Sequence, residues 1–307
     1  MLFILPFAII KTNMSYKIDI LKKADWPPLL EGINQLPNKL FYVGKVADWS
    51  RKLLCVVGAR KNTNYGREAV ETLIESLRGY PITIVSGLAL GIDSIAHRVA
   101  LKNNLPTIAI PGSGLSLEVL HPQSHTHLAI EIIEKGGMMM NEFEPEFKAT
   151  QWSFPQRNRI MAGMSHATLV IEAEQKSGTL ITARLATEYN RDVLALPGSI
   201  FNTTSQGPHM LIRLGATPIR DSDDILEALH LEKIGNGENE NNEEKYFDCS
   251  EREMQIIKLL IEPLARDKIL RQAQSEYQIT VGEAQTLLSL LELKGLIRES
   301  LGEIRLS

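Results

Sequence analysis

From residue 53 to residue 196 the chain alternates two patterns: short runs apolar at nearly every position, and longer stretches in which apolar residues return every three or four places. The runs at 53–57, 82–85, 107–110, 138–141, 169–171 and 193–196 predict strands, and the stretches at 66–77, 93–102, 124–134 and 179–190 predict helices between them. A strand with no polar alternation has no face left for water. The pattern therefore predicts an α/β fold, with a parallel sheet covered by helices on both faces.

Outside this stretch the pattern changes. Residues 1–50 form a lead-in, where Trp26-Pro27-Pro28-Leu29-Leu30 and Leu40-Phe41-Tyr42-Val43-Gly44 read as a small ordered cap against the sheet domain at 51–230. Residues 231–250 read as an acidic linker whose centre, 235–244, is rich in Gly, Asn and Glu, cannot bury a core and is expected to be a flexible tether. Beyond it, three helices are expected at 251–262, 265–275 and 280–294, then a hairpin at 295–307, which suggests a small winged-helix domain at 251–307.

Charge changes the picture only once it is located. The formal net charge of −4 argues against a nucleic-acid partner. However, Glu232, Glu238, Glu240, Glu243, Glu244 and Asp248, set against Lys233 and Lys245, account for all of it, so the rest of the chain is neutral. Cys55 lies in an apolar strand and Cys249 in the linker; with no further cysteine, neither a disulfide framework nor a four-ligand zinc site is available, and a reducing cytoplasm fits. Residues 1–10 are apolar but lack a basic flank, a cleavage site and the roughly 20 residues of a membrane span. No membrane segment is expected, and Met14 is an alternative start.

The candidate chemistry sits in four segments spread along the α/β pattern. They are Gly58-Ala59-Arg60, Ser86-Gly87-Leu88-Ala89-Leu90-Gly91-Ile92-Asp93, Phe154-Pro155-Gln156-Arg157-Asn158-Arg159 and Ser177-Gly178-Thr179-Leu180-Ile181-Thr182-Ala183-Arg184. Each sets small residues and bare backbone N–H groups at an expected helix start, where the macrodipole favours an anion. None completes a cofactor fingerprint. The first turn lacks the later glycines of a dinucleotide site, Gly112-Ser113-Gly114 is followed by Leu117 where a third glycine belongs, and Lys176-Ser177 has no P-loop glycine ahead of it. His121, His125 and His127 lack metal spacing and read as a solvated helix start near Pro122. No cofactor, metal or catalytic set is expected, and a protein that gathers phosphate sites without one holds a polyanion rather than cutting it.

Within these segments Arg60 is placed at the carboxyl edge of the sheet, where open α/β folds bind ligands, although a surface salt bridge would also suit it. Arg157 and Arg159 flank Asn158 at an expected helix start and offer forked contacts to phosphate. Phe154 and Trp152 offer ring faces to bases, with a core position the alternative for Phe154. Asp93 fits a helix cap, and Gly178 permits close backbone approach beside Thr179 and Thr182, with Arg184 beyond.

These segments, in this order, resemble the DNA-processing protein A family (DprA/Smf), and the match runs from about Trp26 to Leu229, with Leu196-Pro197-Gly198 and Met210-Leu211-Ile212 also in register. The resemblance implies an extended Rossmann-like domain that binds and protects single-stranded DNA, helps load a RecA-type recombinase in natural transformation, and forms a homodimer through its late part, here Leu211, Ile212 and Leu214. Arg60 and Phe154 match the family's DNA-contacting positions. Lys148, Arg157 and Arg184 are expected to join Arg60 in neutralising phosphates, with Asn158 and Arg159 beside them. Gly58, Ser86, Gly87 and Gly91 and Ser177, Gly178 and Thr179 are expected to donate from the backbone.

Ala59 stands where the family has serine, His121-Pro122 where Tyr-Pro is common, and Gln151 at a position basic in some members, which is why Lys148 is assigned the charge. The C-terminal segment resembles the family's winged-helix appendage. From Glu251 onward, however, it carries nine acids against eight bases, so a protein contact suits it at least as well as a major groove. A second class, nucleoside-monophosphate phosphoribohydrolases or a nucleotide sensor, shares the broader fold. Its enzymes need a glutamate where Thr182 stands, and a hydroxyl cannot serve as that base.

Overall fold

The structure, a computed structural model, describes residues 16–233, 246, 248–260, 262–300 and 302–306, so the readings of 1–10, Met14 and 235–244 lie outside the described residues. Two compact units divide the chain, 1–233 and 234–307. In the first, nine strands form one sheet: β1 (Asp19–Ile20), β2 (Phe41–Gly44), β3 (Lys52–Val57), β4 (Ile82–Ser86), β5 (Thr107–Ala109), β6 (Met138–Asn141), β7 (Ala167–Val170), β8 (Asp192–Ala195) and β9 (Thr217–Pro218). Their order is β1-β2-β6-β5-β4-β3-β7-β8-β9. From β6 to β9 all neighbours are parallel.

The helices are α1 (Asn64–Glu75), α2 (Ile92–Lys102), α3 (Thr126–Glu134), α4 (Ser153–Met164), α5 (Thr179–Glu188), α6 (Gln206–Arg213) and α7 (Ser222–Ala228). Strand β3 shows why its sequence has no polar alternation. Leu53, Cys55 and Val57 point into one core with residues of α4 and α5, while Leu54 and Val56 point into another with α1, α2 and α7. With both faces dry, every position of such a strand must be apolar.

The lead-in is not a separate cap. Strand β2 extends the sheet antiparallel to β6, pairing Phe41 with Asn141 and Gly44 with Met138. A short helical turn at Pro28–Gly32 lies on α4, and at Gly163 an added Cβ would collide with Ile33. This cover explains α4, in which every residue from Arg157 to Met164 is buried.

Topology also fixes where a ligand can enter. After β3 the chain builds β4 and β5 outward on one side, and later returns to lay β7 on the other side of β3. Connections diverge there, and a crevice opens at the carboxyl ends of the strands.

In the second unit, α8 (Glu251–Leu259), β10 (Leu264–Ala265), α9 (Arg266–Tyr277), α10 (Val281–Leu293), β11 (Ile297–Ser300) and β12 (Glu303–Leu306) enclose their own core around Ile256, Ile269, Leu288, Leu291 and Ile304. The three strands are antiparallel in the order β10-β12-β11. Ser250 and Glu253 close a reciprocal capping box at the start of α8. The hairpin is present as expected, and β10 is a third strand that two residues between helices gave no periodicity to reveal. Among the described residues no helix is long and apolar enough to cross a membrane.

Candidate nucleic-acid interface

The crevice at the switch point measures about 420 Å³, and Gly58, Arg60, Lys61, Phe154, Lys176, Gly178 and Thr179 are among the residues that line it. Its construction begins with close backbone approach. At Gly58 a Cβ would lie 2.5 Å from a side-chain carbon of Ile92, and at Gly91, where φ is +77°, it would collide with the carbonyl oxygens of Ala59 and Arg60. Ile92 donates its N–H to Ala59 O at 3.2 Å. The two turns are thereby clamped, and Arg60 is held at the mouth. Its guanidinium lies 5.1 Å from the centroid of the half-buried Phe154 ring, a cation–π pair that leaves a flat, positively charged surface.

Most of the other expected phosphate ligands are turned inward. Arg157 is buried and donates from Nη1 to Gly87 O at 2.6 Å and to Ile110 O, and from Nε to Asn158 Oδ1 at 3.0 Å. Its Nε and Nη1 are used on the protein, so the expected forked phosphate contact is corrected, although the residue still lines the crevice. The charge still lies in the crevice floor. Helix α4 starts at Ser153, which puts Arg157 and Arg159 in its second turn, under the lead-in, rather than at a helix start. Arg159 is buried against Glu142, with which it forms an ion pair, and does not line the crevice. Arg184 is exposed, pairs with Glu188 at 3.4 Å and faces a different cavity. Lys148 is exposed but outside the crevice lining.

Hydroxyls behave the same way. Ser86 Oγ donates to Val56 O at 2.6 Å and is buried, so it ties two strands instead of meeting a ligand. Ser177 Oγ accepts from Thr179 N at 3.2 Å, and Thr179 Oγ1 donates to Gly58 O at 3.1 Å, which joins the start of α5 to the first turn. Gly178 supplies no side-chain cap to that helix and an added Cβ there would meet open space. Gly87 has a different task. A Cβ there would collide with the Arg157 guanidinium, so glycine makes room for the buried arginine.

Asp93 is not the cap expected of it: the N-cap of α2 is Gly91, with no side-chain cap, and Asp93 lies in the first turn. Its Oδ2 accepts from Gly87 N at 3.1 Å and closes the loop on itself. Burial pushes its carboxyl up from the usual range, opposed by the charge of Arg157. Burial likewise lowers Arg157, opposed by Asp93. The two residues, both lining the crevice, oppose each other's charge.

Sequence reasoning missed three contributors. Lys61 and Lys176 line the crevice beside Arg60, and their only signal was a place next to Arg60 and Ser177 respectively. Glu172, buried, accepts from Thr63 N at 2.9 Å, Thr63 Oγ1 at 2.6 Å and Thr204 Oγ1 at 3.0 Å, anchoring the start of α1 and the segment after β8 to one point. Among the histidines, His125 is buried with Nδ1 2.8 Å from Leu88 O, and His121 packs on Phe154 with centroids 5.6 Å apart. A solvated helix start is therefore corrected for His125. Trp152 stays 54% exposed, backed by the Phe143 and Phe147 rings.

The second cavity, about 700 Å³, lies between α5 and α6 and is lined by Leu180, Arg184, Met210, Leu211 and Leu214 among others. The expected dimer residues divide here. Leu211 is buried in this unit's own core and Ile212 is half-buried against it, whereas Leu214 is 76% exposed.

The family described as DNA recombination-mediator protein A matches residues 17–230. Protein Smf of Escherichia coli is 42% identical over 206 residues, which are 67% of this chain and 54% of that protein. This chain thus spans about half the length of that relative. DNA processing protein DprA of Streptococcus pneumoniae is 39% identical over 201 residues, 66% of this chain and 70% of that one. The X-ray structure of the S. pneumoniae protein superposes with a TM-score of 0.64 at 37% identity, covering 69% of this chain and 74% of that one. DNA processing protein A from Helicobacter pylori, in a structure described as giving insights into its single-stranded DNA binding mode, superposes with a TM-score of 0.61 at 29% identity, covering 70% and 96%.

Proposed function

We propose, for a chain that belongs to the DNA recombination-mediator protein A family, that the switch-point crevice binds single-stranded DNA through its phosphates and one stacked base. The observation that carries this reading is the exposed Arg60 guanidinium laid on the Phe154 ring, with Lys61 and Lys176 lining the same crevice. Arg60, Lys61 and Lys176 neutralise phosphates, Gly178 and the first turn of α5 approach them through the backbone, and Phe154 stacks a base. Arg157, its charge opposed by Asp93, forms part of the crevice floor. A duplex hides its base faces, so single strands are preferred.

Binding proceeds without turnover and without a cofactor. Protection of incoming single strands, assistance to a RecA-type recombinase in natural transformation, and action in the cytoplasm follow from the family resemblance and complete the proposal. Homodimerisation is assigned to the α5–α6 cavity, with Leu214 as its exposed contact. The 251–307 segment is read as a winged helix that contacts protein rather than a major groove.

The test is a salt series of oligonucleotide titrations. Affinity should fall with salt with a log–log slope of about −0.7 per neutralised phosphate, and Arg60→Ala should flatten it by about one contact. Equal affinity for blunt duplex, or a salt-independent constant, would sink the proposal, and release of ribose 5-phosphate from mononucleotides would replace it with an enzyme. Leu214→Glu should give a folded monomer in sedimentation. A fragment ending at Lys233 should keep single-strand affinity within about tenfold of the full chain.

A further inference from the structure

The segment after β8 carries two large apolar side chains left exposed among the described residues: Ile200 is 77% exposed and Phe201 90% exposed. An exposed phenylalanine forgoes the free energy of burying a full aromatic side chain, and here the backbone beneath it is firmly held. Ser199 Oγ accepts from Phe201 N at 3.3 Å, Ser199 O accepts from Asn202 N at 3.1 Å, and Asn202 O accepts from Ser205 N at 3.1 Å. From α1, Tyr65 donates its hydroxyl to Pro197 O at 2.6 Å, and from α6 the His209 ring nitrogen lies 3.0 Å from Gly198 O. The ring is therefore offered by a braced turn rather than by a loose one.

Its place is next to the crevice. Strand β8 is parallel to β7 and adjacent to it, so residues 196–205 leave the sheet at the same carboxyl edge as Arg60 and Ser177. Thr204, three residues after Phe201, lines the crevice and is tied to Glu172. Tyr65, itself 38% exposed, holds the start of this turn through Pro197. A polyanion leaving the crevice past Thr204 meets an aromatic face.

We propose that the 197–202 turn is a second stacking platform, on which Phe201, flanked by Ile200, takes an unpaired base a short distance along the strand from the nucleotide held by Arg60 and Phe154. The proposal rests on the single-strand reading of the crevice. Any base has a face to offer, so the platform adds affinity without sequence preference. It also makes affinity depend on strand length, because an oligonucleotide too short to reach from the crevice to the turn gains nothing from it.

The experiment titrates oligothymidylates of increasing length against the full chain and its Arg60→Ala, Phe201→Ala, Phe201→Tyr and Phe201→Leu variants, with circular dichroism and sedimentation run on each. Phe201→Ala should weaken long oligonucleotides by about fivefold or more and leave the shortest one bound by the parent unchanged. Phe201→Tyr should retain parental affinity and Phe201→Leu should not, since a ring face and not mere apolarity is required. Arg60→Ala should lose affinity at every length. If Phe201→Ala binds as the parent at all lengths while Arg60→Ala is impaired, the platform is wrong and the crevice reading stands. If neither variant is impaired, the crevice reading fails and the platform falls with it. If Phe201→Ala alters only self-association in sedimentation, the turn is a contact between copies of this chain and the proposal is overturned.

Discussion

Two arginine-bearing segments of this chain, the turn Gly58-Ala59-Arg60 and the helix carrying Arg157 and Arg159, look alike in sequence and are put to opposite uses. Arg60 follows a strand directly and meets solvent at the sheet edge, where its charge rests on an aromatic face. Arg157 and Arg159 lie on a helix packed against the 28–32 turn; Arg157 donates to Gly87, Ile110 and Asn158, and Arg159 pairs through Nη2 with Glu142. A cation at an edge is available to a ligand. A cation under a covering layer must be compensated by the protein itself, because an uncompensated buried charge costs several kcal/mol.

That contrast breaks first, if it breaks, at Arg157. Arg157→Ala removes the donor to two carbonyls and the charge that opposes buried Asp93, and should cost about 3–5 kcal/mol of stability in urea unfolding. A variant of parental stability that only loses DNA would place Arg157 with Arg60 instead.

The buried side of the comparison extends to His97, fully enclosed with Nδ1 2.7 Å from Thr107 Oγ1. Burial pushes its imidazole down to about 3, so the unfolded chain binds a proton at higher pH than the folded one does. Stability from this group is present above pH 6.5 and drains away on acidification, by about 1.4 kcal/mol per pH unit, until pH approaches 3. His97→Gln should reduce that slope in parallel urea titrations, and an unchanged slope would remove His97 from the account.

On the exposed side, Arg60→Ala should weaken single-strand binding by about tenfold, or 1.4 kcal/mol, and shift urea stability by no more than about 0.5 kcal/mol. The smallest effect belongs to Arg184. It is exposed and, among the described residues, pairs within its own helix, so Arg184→Ala should change affinity by less than about twofold. A loss comparable with that of Arg60→Ala would extend the interface over α5 and blur the comparison.

The alternation of apolar runs and periodic stretches determined the α/β class, the strands β3 to β8 to within two residues, and the positions of α1, α2, α3 and α5 closely, because strands buried on both faces of a sheet are predominantly apolar. Glycine and arginine at strand ends likewise marked the switch-point turns. What the sequence left open was the direction in which each polar side chain points. Arg157, Arg159 and Ser86 carry the same chemistry as groups that bind anions, and the tertiary structure turns them onto Gly87 and Ile110, onto Glu142 and onto Val56. The lead-in's role as a sheet strand, and the meeting of Lys61, Lys176 and Thr204 around one crevice, were likewise settled by contacts between segments far apart in the chain. Local patterns report which side chains avoid water; which polar group faces a ligand depends on distant segments that cover one side of it and leave the other open.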